Sequence, residues 1–207
     1  MARKAFVSMI GFMFLNTRVP GVKWPFHVNF EEVNLRFYVK HFDGVQCRRG
    51  AIFISELVLK ALIPLVANNL YNEHYKALPI RHSVTPLPSN ETTYMYEWKL
   101  NGNWNRLGAT VGNTFIDIAP NSAEEFIFEH YWGYNAINST TTLEYAVEHV
   151  PWQIAPVSSC TFGADVAQFY GETFVPYLKQ PYSMFFAKGS DVIVRVVRKI
   201  QLKQKEG

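Results

Sequence analysis

The sequence predicts an α+β, mainly β domain: a curved or closed antiparallel sheet, barrel-like, with two or three helices. Apolar and polar residues alternate without exception over residues 32–40. Glycine and proline punctuate the chain at short intervals, as closely spaced strands require, and few windows carry the apolar spacing of a helix.

In the 32–40 segment Val33, Leu35, Phe37 and Val39 fall on one side, and Glu32, Asn34, Arg36, Tyr38 and Lys40 on the other. That is the period of a strand with two unlike faces. Further strands are expected over residues 4–15 (apolar on both faces), 50–55, 93–100, 141–149 and 191–200, with shorter pieces near 105–111 and 182–187. Helical spacing appears at Leu59, Leu62, Ile63, Val66 and Leu70, with Pro64 as a kink or a delayed start. Ser122-Ala-Glu-Glu125 after Pro120 is a capping-box pattern opening a second helix that ends before Gly133, and a short third helix is expected over residues 164–170. So many strands must hide their edges, so a sheet that curls around a cavity is expected.

The 207 residues suit one domain spanning the whole chain, 1–207. Apolar residues at 48% and charged residues at 18% are the reverse of a disordered composition. A formal charge of +3 leaves no nucleic-acid footprint; Arg195, Arg198, Lys199, Lys203 and Lys205 read as a solvated strand and tail. Two isolated cysteines, Cys47 and Cys160, fit a reducing compartment. Residues 3–15 imitate the charged and apolar parts of a signal peptide, but no small-x-small cleavage site follows. No apolar stretch reaches the ~18 residues of a spanning helix. The expectation is a cytoplasmic protein with no membrane or nucleic-acid partner, with homo-oligomerisation left open.

The polar face of the 32–40 strand has two readings, solvent or the interior of the sheet. Glu32, Asn34, Arg36 and Tyr38 can satisfy one another as acid, amide, guanidinium and phenol, and Arg36 is then suited to a bidentate grip on a carboxylate. Three Glu-His dipeptides, at Glu73-His74, Glu129-His130 and Glu148-His149, raise a metal site. Neighbouring residues on a strand point to opposite faces, and no His-x-x-x-His or cysteine pair accompanies them, so neither metal nor cofactor is expected. Gly-x-Ser-x-Gly and phosphate-binding glycine loops are absent. The aromatic run Phe126 to Tyr134 reads as core packing before pocket wall.

Four stretches carry a family resemblance: Val7-Ser-Met-Ile-Gly-Phe-Met-Phe14, Pro25-Phe-His-Val-Asn-Phe-Glu-Glu-Val-Asn-Leu-Arg-Phe-Tyr-Val39, Glu129-His-Tyr-Trp-Gly-Tyr134 and Ala187-Lys-Gly-Ser190. Together they resemble the YqjF-like family, domain of unknown function 2071. The resemblance implies a fold similar to acetoacetate decarboxylase, a barrel-like sheet around a cavity. It also implies an extra N-terminal segment ahead of residue 4, which is not seen here. The decarboxylase works through an amine made nucleophilic by an apolar pocket and a neighbouring cation, a case that general enzymology treats as a standard example. The stretch nearest to its lysine motif is Asn72-Glu-His-Tyr-Lys-Ala-Leu-Pro79, in which Glu73 matches. No Lys-Lys pair occurs in the chain, and Lys76 is the substitute amine.

The functional expectation is a small organic acid bound through Arg36 with Glu32, Asn34 and Tyr38, and Glu73 and Lys76 as candidate catalytic groups. Whether catalysis follows binding is open, and the rival is a non-catalytic scaffold whose cavity is filled by aromatic side chains.

Overall fold

The computed structural model describes residues 5–15, 29–59, 75–195 and 197–201. The strands in chain order are β1 (Val7–Phe14), β2 (Phe30–Phe42), β3 (Cys47–Val58), β4 (Tyr75–Ala77), β5 (Ile80–Leu87), β6 (Glu91–Leu100) and β7 (Asn103–Gly112). After them come β8 (Ile116–Asp117), β9 (Trp132–Ala136), β10 (Thr141–Glu148), β11 (Gln153–Ala155), β12 (Val157–Gly163), β13 (Phe186–Ala187), β14 (Ile193–Val194) and β15 (Arg198–Gln201). Among the described residues three short α-helices accompany them, α1 (Ala123–Phe128), α2 (Val166–Tyr170) and α3 (Val175–Lys179).

Among the described residues the strands form three sheets. The largest runs β1-β2-β3-β9-β10-β14, with β15 also on β10 and β4 also on β3; the second is β12-β7-β6-β5 and the smallest β13-β11-β8. Most pairs are antiparallel, but β3 pairs in parallel with both β4 and β9. Among the described residues no sheet closes into a barrel. The mainly β class holds, and the described strands are arranged in three sheets.

The hydrophobic face of β2 explains where the core lies. Val33, Leu35 and, from β3, Leu57 are wholly buried against Ile80 of β5 and Trp98 of β6, with Val166, Phe169 and Tyr170 of α2 and Leu178 of α3 completing the cluster. The core therefore sits between the largest and the four-stranded sheet, with two helices plugging it. Trp98 meets Phe169 edge to face at 6.0 Å, a favoured aromatic geometry.

Local chemistry sets the elements around the candidate site. Ser122 caps α1 by accepting from the Glu125 amide at 3.1 Å. The Glu125 carboxylate turns back to the Asn121 amide at 2.5 Å, one residue earlier than a standard capping box. The helix stops after Phe128, so the aromatic run leaves it and becomes β9. Gly133 there lies directly under the Tyr145 ring, where a Cβ would collide. Only glycine lets the two strands approach so closely.

The helix expected over residues 59–71 lies outside the described residues apart from Leu59, which is exposed and not helical. The strand expected over 191–200 is two short pieces, β14 and β15.

Candidate functional site

β2 is buried on both faces in its first half. Glu32 and Asn34, on the face opposite Val33 and Leu35, are each 1% exposed. Asn34 donates from Nδ2 to Glu32 Oε1 at 2.9 Å, which fixes the amide orientation because a carboxylate only accepts. Its Oδ1 is buried without a partner among the described residues. Further along the same face Arg36 and Tyr38 are partly buried, so the polar ribbon runs from interior to surface.

A β-bulge sits at this point. Leu35 pairs with Ser55 but Arg36 with Phe53, leaving Ile54 of β3 as the extra residue. Bulges bend a strand and re-aim its side chains, and this one brings Glu56 and Phe53 of β3 to one face beside Asn34 and Arg36.

Arg36 donates from Nε to the Tyr38 hydroxyl and from Nη2 to the Ile127 carbonyl, each at 3.4 Å. Both acceptors are neutral and both bonds are long. Other arginines have carboxylates: Arg48 pairs with Asp43 and Glu144, Arg49 with Glu125, Arg81 with Glu97, Arg195 with Glu148 and Arg198 with Glu144. Arg36 is a partly buried guanidinium with no carboxylate partner among the described residues.

The segment after α1 closes over this cation. His130 lies 4.6 Å from the Tyr38 ring and Phe126 5.4 Å from it. His130 is 8% exposed and its Nδ1 has no partner among the described residues. Burial first, then the charges of Arg36 and Arg49, pull its pKa down to about 3, opposed only by the Ile127 backbone oxygen. The imidazole is neutral at any ordinary pH and adds no repulsion to an anion at Arg36. Sequence reasoning missed His130 and Phe126 as site residues. The signal was there in the Glu-His dipeptide and the aromatic density, but nothing in the chain shows that both fold onto β2.

The structure does not bring all the expected residues together. Lys76 pairs with Leu57 and Leu57 with Val33, while Asn34 pairs with Glu56, so Lys76 belongs to the opposite sheet face from the polar ribbon. It is also exposed. Glu73 lies outside the described residues. Among the described residues no group of three or more His, Cys, Asp or Glu side chains gathers as a metal cluster, and no helix is long and apolar enough to cross a membrane. Cys47 and Cys160 are free and exposed.

Two surface clefts flank Glu129, of about 240 and 170 Å3. Neither is lined by Glu32, Asn34, Arg36 or Tyr38.

Comparison with known families places the chain. Residues 1–191 match the family described as "Uncharacterized conserved protein (COG2071)", domain of unknown function 2071. The chain belongs to that family. The comparison with curated proteins found no match. Among solved structures, an acetoacetate decarboxylase-like enzyme from Sphingomonas wittichii RW1 is similar at 16% identity and a TM-score of 0.45, with 66% of this chain covering 57% of that one. The enduracididine biosynthesis enzyme MppR complexed with pyruvate is similar at 13% identity and a TM-score of 0.49, over 70% of this chain and 57% of that one. The acetoacetate decarboxylase of Legionella pneumophila gives 13% identity and a TM-score of 0.41, over 70% of this chain and 64% of that one. This chain thus spans less than two thirds of the length of these structures.

Proposed function

We propose that the protein binds a small organic acid, with the carboxylate gripped by Arg36. One observation carries this reading: Arg36 is partly buried and, among the described residues, bonded to a phenol and a backbone carbonyl with no carboxylate as counter-ion. A guanidinium in that setting gains most from a carboxylate, which it can hold bidentately. Neutral His130 and the aromatic rings of Tyr38 and Phe126 lower the local dielectric and strengthen the attraction. The Asn34 Oδ1, which has no donor among the described residues, and Glu32 behind it supply acceptor and acid-base groups next along the strand.

A thermal-shift titration with propionate and 3-oxobutanoate tests the reading, because a ligand preferring the native state raises the melting temperature. A saturable rise that disappears in Arg36→Ala supports it. Equal rises in both proteins sink it.

Amine catalysis at Lys76, with Glu73 as its acid-base partner, is a separate proposal resting on the family resemblance alone. Borohydride trapping with 3-oxobutanoate decides it by mass: an adduct on Lys76 supports it, and an unmodified Lys76 after saturation removes it. The scaffold reading draws on a different observation, that neither cleft reaches the polar ribbon. It predicts no thermal shift with any acid.

A further inference from the structure

Two aromatic side chains near Arg36 are exposed and adjoin one another. Phe6, just ahead of β1, is 37% exposed, and Tyr182, between α3 and β13, is 85% exposed. Their ring centroids lie 6.4 Å apart. A lone exposed ring is ordinary, but adjoining rings left in water make an apolar patch, and such patches gather at recognition surfaces.

The pair is the outer end of a row that begins at the guanidinium. Arg36 Cζ lies 5.4 Å from the centre of the Tyr38 ring, that ring meets Phe126 edge to face at 5.4 Å, and Phe126 meets Phe6 in the same way at 5.6 Å. Arg36 also donates to the carbonyl of Ile127, the residue after Phe126. A positive charge and an apolar aromatic surface are therefore continuous.

The geometry fits an added ring. Neighbours in the row meet at interplanar angles of 57° to 61°, the tilted arrangement that aromatic pairs favour, and a ring from outside can extend it at the exposed end. Charge decides what that ring carries. A cluster of aromatic rings also suits an organic cation, but Arg36 has no carboxylate partner among the described residues and repels one. An acid with an aryl group uses both features, its carboxylate on the guanidinium and its ring on the aromatic row.

We infer that the organic acid is an arylalkanoic acid, with its aromatic ring against Phe6, Phe126 and Tyr182. This rests on the reading of Arg36 as the carboxylate anchor and specifies the rest of the ligand.

The test is calorimetric titration of the full chain with 3-phenylpropionate and with propionate, and with 3-phenylpropan-1-ol as the uncharged control. The aryl acid is expected to bind about tenfold tighter than propionate, the gain from an added aromatic contact and its buried area. Phe6→Leu combined with Tyr182→Ala should remove that advantage and leave propionate binding unchanged. Tyr182→Ala alone, at so exposed a position, keeps the fold and should lower the advantage in the same direction. Equal affinity for the two acids, both lost in Arg36→Ala, overturns this inference and leaves the Arg36 anchor standing. So does an aryl preference undiminished in both variants. Binding of neither acid, or binding of alcohol and aryl acid alike that is indifferent to Arg36→Ala, overturns the anchor as well.

Discussion

Two charged side chains of the largest sheet, one buried and one partly buried, are treated in opposite ways. At one end, Glu144 of β10 is fully buried and saturated: Arg48 donates to it at 2.6 Å, Tyr134 at 3.0 Å, and Arg198 also binds it. Arg48 is in turn paired with Asp43 at 2.5 Å and lies over Trp132 at 4.1 Å. At the other end Arg36 is bonded to two neutral oxygens at 3.4 Å. The difference teaches how to read a buried charge. One whose every partner is internal fastens strands together, here β3, β9, β10 and β15. One with vacant bonding capacity does no such fastening, and it is on this that the proposed organic-acid site rests.

Glu144→Ala leaves Arg48 buried beside a void and should cost about 3–5 kcal/mol in chemical denaturation. A loss below about 1 kcal/mol there would mean the network fastens nothing. The next effect is one of pH at His130. Its folded pKa, about 3, lies below the 6.5 of an ordinary histidine, so the unfolded chain takes up the proton first. Its contribution to stability is fully present above about pH 6.5 and is lost as pH falls toward 3, amounting to about 2 kcal/mol by pH 5. His130→Phe should therefore flatten the stability profile over that window, and an unchanged slope would contradict the buried neutral ring. Ser122→Ala removes the cap of α1, the helix that carries the cover over Arg36, and should cost about 1 kcal/mol. The smallest stability effect is that of Arg36→Ala, under about 1 kcal/mol, since no internal ion pair is lost.

How much of this was legible in the sequence depends on where each signal resides. β2 was readable because Val33, Leu35, Phe37 and Val39 keep a strict period of two, and the Ser122 cap because its partners are local. β5 was missed because almost all of it is exposed, with Arg81, His82, Ser83 and Pro86 giving no apolar alternation. β9 was missed because Trp132 and Tyr134 follow a helix start and read as its packing face. α3 begins on Val175-Pro176, and proline in a first turn reads equally as a loop.

The sites divide along the same line. That Arg36 shares a strand face with Glu32, Asn34 and Tyr38 follows from spacing. That no carboxylate among the described residues reaches it, that Phe126 and His130 fold over it, and that Arg48, Tyr134, Glu144 and Arg198 converge from four strands are long-range outcomes, invisible to any local pattern. The expected link between Arg36 and Lys76 shows the same limit, because one position of register decides which face a residue takes.

The most direct measurement is to make Arg36→Ala and Arg48→Ala side by side and record denaturant stability and propionate binding for each. The account predicts that Arg36→Ala keeps its stability and loses the ligand, while Arg48→Ala loses several kcal/mol and, while still folded, keeps it. The reverse pattern, or a ligand indifferent to both, would contradict it.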